Sequence, residues 1–205
     1  LDKNGVYVYR TIEDLNLIRR HARQTKSAAV IGGGLLGLEA AKALLDLGVP
    51  DIHIIEFATR LMPRQIDESA SIMLGQKLAA LGITVHTSKN TSAILGNETI
   101  TGMIFSNNTI LSVDMLVISA GITPRDELAK DCSLAIGPRG GIVVNEYMQT
   151  SDPSIYAIGE CAVHNEMNYG LVGPGYEMAE IVASNIAENN KLKSFHGFDI
   201  STKLK

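Results

Sequence analysis

Gly32, Gly34 and Gly37 stand in the run Gly32-Gly33-Gly34-Leu35-Leu36-Gly37, which follows the apolar stretch Ala28-Ala29-Val30-Ile31. A strand that stops on such glycines and opens directly into a helix builds a cradle for phosphate. The first glycine lets the chain turn sharply. The second lets the backbone approach a pyrophosphate with no Cβ in the way, and the third lets the new helix pack against the strand. The N–H groups near Leu35 and Leu36 then point at the phosphates, and the positive end of the helix dipole favours their charge. A dinucleotide site also needs an acid about 20 residues further on, to hold the ribose hydroxyls. Glu56, 19 residues past Gly37, meets that need. Its carboxylate would face a 2′-phosphate, which favours NADH over NADPH. Arg60 and Arg64, in the following loop, offer the charge that a 2′-phosphate would use instead. A glycine-rich turn that serves packing alone is the competing reading of the same residues.

The elements around this loop can be read from the pattern. Val6 to Tyr9 reads as a short strand, and Ile12 to Arg23 as a helix with Thr11 as its N-cap. Ala28–Ile31 reads as a buried parallel-type strand, Leu35 to Leu47 as a helix stopped by Gly48 and Pro50, and Ile52–Ile55 as a second strand ending at Glu56. This is a βαβ unit. A helix from Glu68 to Leu81 is expected behind the N-cap Asp67, with Gly82 as its stop and Ile83–His86 as the next strand. Short alternating pieces from Ser92 to Val113, broken at Gly96-Asn97 and Asn107-Asn108, read as an antiparallel meander. Asp114–Ser119 is again a buried-type strand, running into the turn Ala120-Gly121-Ile122-Thr123-Pro124. A mixed segment, strands at Ile142–Val144 and Ile155–Ile158, and a helix over 173–188 complete the pattern. That helix is expected to carry Met178, Ala179, Val182, Ala183 and Ile186 on one face.

Composition narrows the classes. Hydrophobic residues make up 45% and charged residues 20% of the 205, close to a folded soluble domain, so bulk disorder is excluded. The net charge is −4 and no basic stripe exists, which argues against nucleic acid as a partner. The longest charge-free apolar run, Ala28 to Leu38, has 11 residues, short of the roughly 20 that a membrane span needs. Cys132 and Cys161 have neither a redox-pair nor a zinc-knuckle spacing, and read as reduced thiols of a cytoplasmic protein. The chain opens on Leu1 rather than Met and closes on Ser201-Thr202-Lys203-Leu204-Lys205 without completing an element, so it is expected to be a piece of a longer polypeptide.

Four stretches taken together carry a resemblance. They are Gly5-Val6-Tyr7-Val8-Tyr9-Arg10-Thr11, the loop Gly32–Gly37, the turn Ala120–Pro124, and the segment from Thr150 through Ser154-Ile155-Tyr156-Ala157-Ile158-Gly159-Glu160-Cys161-Ala162. In that order they resemble the flavoprotein pyridine-nucleotide reductases, FAD-dependent enzymes of the glutathione-reductase-like fold. Three further stretches, Glu56–Gln65, Tyr169–Ala179 and Ser201–Lys205, resemble the narrower family of NAD(P)H-dependent assimilatory nitrite reductase large subunits. The resemblance covers about the whole chain. It implies an α/β fold with a Rossmann-like NAD(P)-binding domain, in which a parallel sheet is accompanied by the meander, followed by the C-terminal part of an FAD-binding domain. The boundaries expected are 1–24 as a segment of the FAD domain and linker, 25–125 as the NAD(P)H-binding domain, and 126–205 as the returning part of the FAD domain.

By resemblance, Gly159-Glu160 matches the Gly-Asp of the second FAD motif, with Glu in place of the usual Asp. The competing reading of Glu160 is an exposed acid at a strand end. The helix after Gly175 matches the one whose N-terminal amides face the flavin ring. Glu39 matches a family glutamate near the nicotinamide and serves positioning, unless it is only a helix former. Gly121, after Ala120, matches a glycine where the backbone passes close to bound NAD(P)H. The expected cofactors are therefore FAD and NAD(P)H. A sirohaem and an iron–sulfur cluster are expected only outside this stretch, because two distant cysteines cannot hold a cluster. The partial metal spacing Cys161-Ala162-Val163-His164 is absorbed by the flavin motif. No catalytic side chain and no metal ligand are assigned. The implied activity is hydride transfer from NAD(P)H to FAD, in the electron-accepting part of a nitrite reductase. This stretch alone would bind NAD(H), hold FAD weakly and be inactive. The partners expected are NAD(P)H and the rest of the parent polypeptide, with a homodimer compatible. A rubredoxin or ferredoxin reductase and an NADH oxidase are the neighbouring alternatives. A non-catalytic NAD-binding sensor is the alternative from another class.

Overall fold

The computed structural model describes residues 2–187 and 193–199. The chain divides into two compact units, one up to Gly121 and one from Ile122 onward. In chain order the first runs β1 (Val6–Val8), α1 (Ile12–Ala22), β2 (Ser27–Ile31), α2 (Leu35–Asp46), β3 (Asp51–Ile55), α3 (Glu68–Ala80), β4 (Ile83–His86), β5 (Thr91–Leu95), β6 (Gly102–Phe105), β7 (Ile110–Leu111) and β8 (Met115–Ile118). Its main sheet has the order β1-β8-β2-β3-β4, and every pairing in it is parallel. Parallel neighbours need crossovers, and α2 and α3 supply those from β2 to β3 and from β3 to β4. β5, β6 and β7 pair antiparallel in a small sheet of their own, as the alternating pattern implies.

The layering follows from the period of two along each strand. Ala28, Val30, Ile52, Ile54, Met115 and Val117 point to one face, where Leu38, Ala41 and Leu44 of α2, Leu78 of α3 and Ile18 of α1 cover them. Ala29, Ile55, Leu116 and Val6 point to the other, against Ile100, Met103, Phe105 and Val113 of the meander region. β2 is thus buried on both faces, which is why it reads as an unbroken apolar run. The helix ends fall where the local signals put them. Thr11 and Asp14 form a reciprocal capping box on α1, the Ala70 N–H donates to Asp67 at the start of α3 (2.8 Å), and Gly48 and Gly82 take positive φ after α2 and α3. The opening strand and helix belong to this unit, with β1 as an edge strand of its sheet.

The second unit holds α4 (Glu127–Asp131), β9 (Ile142–Val144), β10 (Ala162–His164), β11 (Met167–Asn168) and α5 (Val172–Ala187). β10 lies between β9, parallel to it, and β11, antiparallel. The core gathers Val144, Met148, Ala157, Ala162, Tyr169, Met178, Ile181 and Phe195. Three expectations are corrected here. Ile155–Ile158 is not a strand: its β-pairing is the single bridge Gln149–Tyr156, and Ile155 and Ile158 are 39% and 40% exposed. The strand forms instead at Ala162–His164. α4 was hidden in the segment read as mixed. α5 begins at Val172 and buries Met178 and Ile181, with Val182 packed beside them, whereas Ile186 is 63% exposed and Ala183 also faces outward. Residue 188 and the Ser201–Lys205 stretch lie outside the described residues. Among the described residues, no helix is long and apolar enough to cross a membrane.

Leu44 is fully buried where α2 meets the sheet. Leu44→Ala is expected to lower unfolding free energy by about 2–5 kcal/mol, and Thr11→Ala, which removes only a cap, by about 1 kcal/mol. Urea denaturation of the two variants checks the order.

Candidate functional site

The glycine loop turns out of β2 with Gly32 at φ +114°, a conformation that a side chain would strain. A Cβ there would meet the Ser119 carbonyl oxygen at 2.3 Å, and a Cβ on Gly37 would meet the Gly32 carbonyl oxygen at 1.8 Å. These two glycines are demanded by the chain's own packing. Gly33 is crowded by side chains instead, for a reason the spacing did not reveal: its Cβ would press on Leu61 at 2.7 Å and on the Glu56 carboxylate at 2.9 Å, so either side chain would have to move. Gly34 differs from all three. Nothing lies within 4 Å of where its Cβ would be, so that space is open.

Gly34 is also the N-cap of α2, and no side chain caps this helix; its first turn carries no acid. α1 and α3 both have side-chain caps. The start of α2 therefore leaves the amides around Leu35 and Leu36 without a side-chain acceptor, with open space in front of Gly34. This arrangement fits an anion whose oxygens take the helix-start amides.

Glu56 ends β3 beside this loop. Its Oε2 accepts the Gly33 N–H at 2.6 Å and its Oε1 accepts the Ala58 N–H at 2.6 Å. Its own N–H donates to the His86 carbonyl of β4 at 2.8 Å. The carboxylate thus ties the glycine loop to the loop after β3, with lone pairs left on each oxygen for a ligand hydroxyl. The Ala58 amide is a partner that no sequence signal announced. Arg60 lies half-buried in the same loop. Its Nη2 donates to the Pro63 carbonyl at 3.1 Å, and its Nε is buried without a partner. Glu39 sits on the second turn of α2, half-buried. Ala120 and Gly121 follow β8 at the same edge of the sheet, both exposed, with Gly121 at φ +110° and open space where a Cβ would be.

In the second unit, Gly159, Glu160 and Cys161 form a short 3₁₀ turn. Gly159 takes φ +77°, and its N–H donates to the buried Met178 sulfur at 3.3 Å. The Glu160 carbonyl accepts from the Asn168 side chain. Gly159 and Glu160 line an open cleft of about 520 Å³ with Gly170, Leu171, Val172, Gly175 and Tyr176. Leu171, Val172 and Tyr176 are exposed apolar or aromatic side chains around the start of α5, and are additions to the residues expected here. The signal for them was the Gly170–Gly175 run, where three glycines and a proline sit at a helix start. Among the described residues, no group of three or more His, Cys, Asp and Glu side chains could hold a metal ion.

The chain matches the pyridine nucleotide-disulphide oxidoreductase family over residues 1–183. It is 51% identical over its whole length to the nitrite reductase (NADH) large subunit of Escherichia coli, covering 24% of that protein. It is 48% identical to the nitrite reductase [NAD(P)H] large subunit of Klebsiella oxytoca over 98% of the chain, covering 21% of that protein. The chain thus spans about a quarter of the length of these curated relatives. Among solved structures, the ferredoxin reductase of Rhodopseudomonas palustris superposes with a TM-score of 0.85 at 27% identity, over 94% of this chain and 48% of that one.

The contrast between the glycines is testable without a ligand. Gly37→Ala forces backbone apart and is expected to lower the thermal midpoint by several degrees, whereas Gly34→Ala, with open space around it, is expected to leave it within about 2 °C. Thermal melts of the two variants decide it.

Proposed function

The chain belongs to the pyridine nucleotide-disulphide oxidoreductase family, and from that membership we propose that it is the electron-accepting module of an FAD-dependent NAD(P)H reductase. The observation that carries the reading is the start of α2, uncapped, open in front of Gly34, and flanked by the Glu56 carboxylate. In this reading Gly32, Gly33, Gly34 and Gly37 shape the turn, and the amides of Leu35 and Leu36 take the pyrophosphate. Glu56 accepts from the adenosine ribose hydroxyls. Its negative charge disfavours a 2′-phosphate, so NADH is the preferred nucleotide. Arg60, already donating to Pro63, offers less to a 2′-phosphate than its position alone implied. Glu39, Ala120 and Gly121 border the path of the nucleotide.

We assign the second unit to the returning part of an FAD-binding domain, with Gly159, Glu160 and the start of α5 on the flavin side. The cleft at that helix start and its positive dipole end support this, since an electron-rich flavin is stabilised there. When bound, the two cofactors supply hydride transfer from the nicotinamide to the flavin. The protein's part is to bind and orient, with no side chain required as acid or base. The likeness to nitrite reductase large subunits supports nitrite as the final acceptor, reached through an iron–sulfur cluster and sirohaem held outside this chain. The free thiols Cys132 and Cys161 fit a reducing, cytoplasmic location.

Steady-state kinetics on the native polypeptide that carries this chain tests the reading. NADH-dependent dye reduction is expected, and Gly34→Ala should raise KM for NADH about tenfold or more, because its methyl enters the phosphate space; tenfold is about 1.4 kcal/mol. Tight NADH binding with no turnover would instead favour a nucleotide sensor.

A further inference from the structure

Residues 193–199 cross the second unit and are held at three points. At the first, the Asn185 side chain of α5 clips the Lys193 backbone on both sides: Nδ2 donates to the Lys193 carbonyl at 2.8 Å, and Oδ1 accepts its N–H at 2.7 Å. At the second, Phe195 is fully buried and its N–H donates to the Glu146 carbonyl at 2.7 Å. Its ring stands edge-on to Tyr169, with centroids 5.4 Å apart, and to His164 at 5.3 Å. At the third, the Phe198 ring lies against Gly173, where a Cβ would come within 2.9 Å of it. Gly173 belongs to the first turn of α5, between the cleft residues Val172 and Gly175.

His164 is the odd member of this core. It is 4% exposed, and its Nδ1 is buried with no hydrogen-bond partner. A charged imidazole would lose its water there and gain no acceptor at that nitrogen. Burial holds its pKa below the ordinary value. Of the charged and titratable groups that face it, Glu146 after β9 pulls the pKa up, burial outweighs that pull, and His196 of the crossing segment pushes it down further. The proposed function uses none of these residues.

We propose that residues 193–199 form a proton-gated strap: neutral His164 keeps Phe195 seated, and the seated strap positions the first turn of α5 through Phe198 on Gly173. Its consequence for flavin rests on the flavin reading of the cleft; the seating itself does not. The sign follows from the exchange of environments. With the strap lifted, His164 is hydrated and takes its proton near the ordinary value of about 6.5. Seated, it takes one only at lower pH. The seat is therefore firm above about pH 6.5 and loosens as pH falls toward the depressed value, by up to about tenfold per pH unit for one proton.

Hydrogen exchange at the Lys193 and Phe195 amides, corrected for intrinsic rates between about pH 7.5 and 5.5, reads the seat directly in the native polypeptide. Wild-type protection should fall toward the acid side by up to about tenfold per unit, and His164→Gln, neutral throughout, should lose that slope. A flat wild-type profile, or the same slope in His164→Gln, overturns the gate. Should that variant not fold, an NMR titration of wild-type His164 takes its place. Proton uptake that tracks the loss of protection supports the gate, and uptake that does not overturns it. Phe198→Ala should weaken FAD binding about tenfold, and unchanged FAD affinity overturns the positioning role. If wild type binds no FAD, the flavin reading fails and the positioning role with it, whereas the exchange profile still decides the gate.

Discussion

A Cβ on Gly37 would lie 1.8 Å from the carbonyl oxygen of Gly32, and one on Gly32 would lie 2.3 Å from that of Ser119. The ends of β2 and β8 and the start of α2 therefore meet with only peptide between them. Backbone bonds fix the same junction, from Gly32 N–H to Ile55 and from Ser119 N–H to Ile31, each at 2.8 Å. The three strands end in register because of it. Several candidate residues of the first unit are placed from this junction. Leu35 and Leu36 are the first helical residues beyond it, Glu56 follows Ile55, and Ala120 and Gly121 follow Ser119. A methyl group at the junction would move all of them together.

Placing a carboxylate beside a phosphate cradle looks self-defeating until its bonds are counted. Glu56 accepts two backbone N–H groups at 2.6 Å, so part of its charge is already answered by fixed dipoles. It sits against Gly33, outside the helix, while the unpaired amides that attract anions lie further on in the first turn of α2. In the proposed reading, one negative group is tolerated beside the ribose because the pyrophosphate is held elsewhere, and a second phosphate on that ribose would meet the carboxylate directly. The same side chain closes the loop and, in the proposed reading, bears on the choice of nucleotide, so a substitution at Glu56 would disturb both.

The first unit was legible in the sequence because its signals are local. An apolar run, a glycine at each stop and a side-chain cap each act within a few residues, and β2, α2, β3, α3 and β4 fall within a residue or two of where they were read. The second unit was less legible because its core is assembled from distant pieces. Ile155-Tyr156-Ala157-Ile158 is as apolar as a buried strand, yet only Ala157 is buried, since β9 pairs with Ala162–His164 instead. No periodicity within four residues distinguishes the two candidates. In the site, the close packing at Gly32 and Gly37 was readable from spacing, and Gly34 stands in open space as its place in the motif implies. The contact of Gly33 with Glu56, and the Ala58 amide, depend on how the loop after β3 folds back, which spacing does not encode.

The two helix starts differ in how their backbone is held. At α2 the restraint is Gly37 on Gly32, five residues apart, formed as the turn itself forms and inseparable from the sheet. At α5 the restraint is Phe198 on Gly173, 25 residues apart, through a segment anchored by one clip, one backbone bond and one buried ring. A contact of the second kind can open without breaking the strands beneath it, because local opening costs only the contacts that are lost. A site made of backbone amides offers few side chains through which its affinity can be adjusted. Control then has to act on what presses against the backbone, and in the proposed strap that is the Phe198 ring, held in place by Phe195 seated against a histidine whose burial disfavours its protonated form.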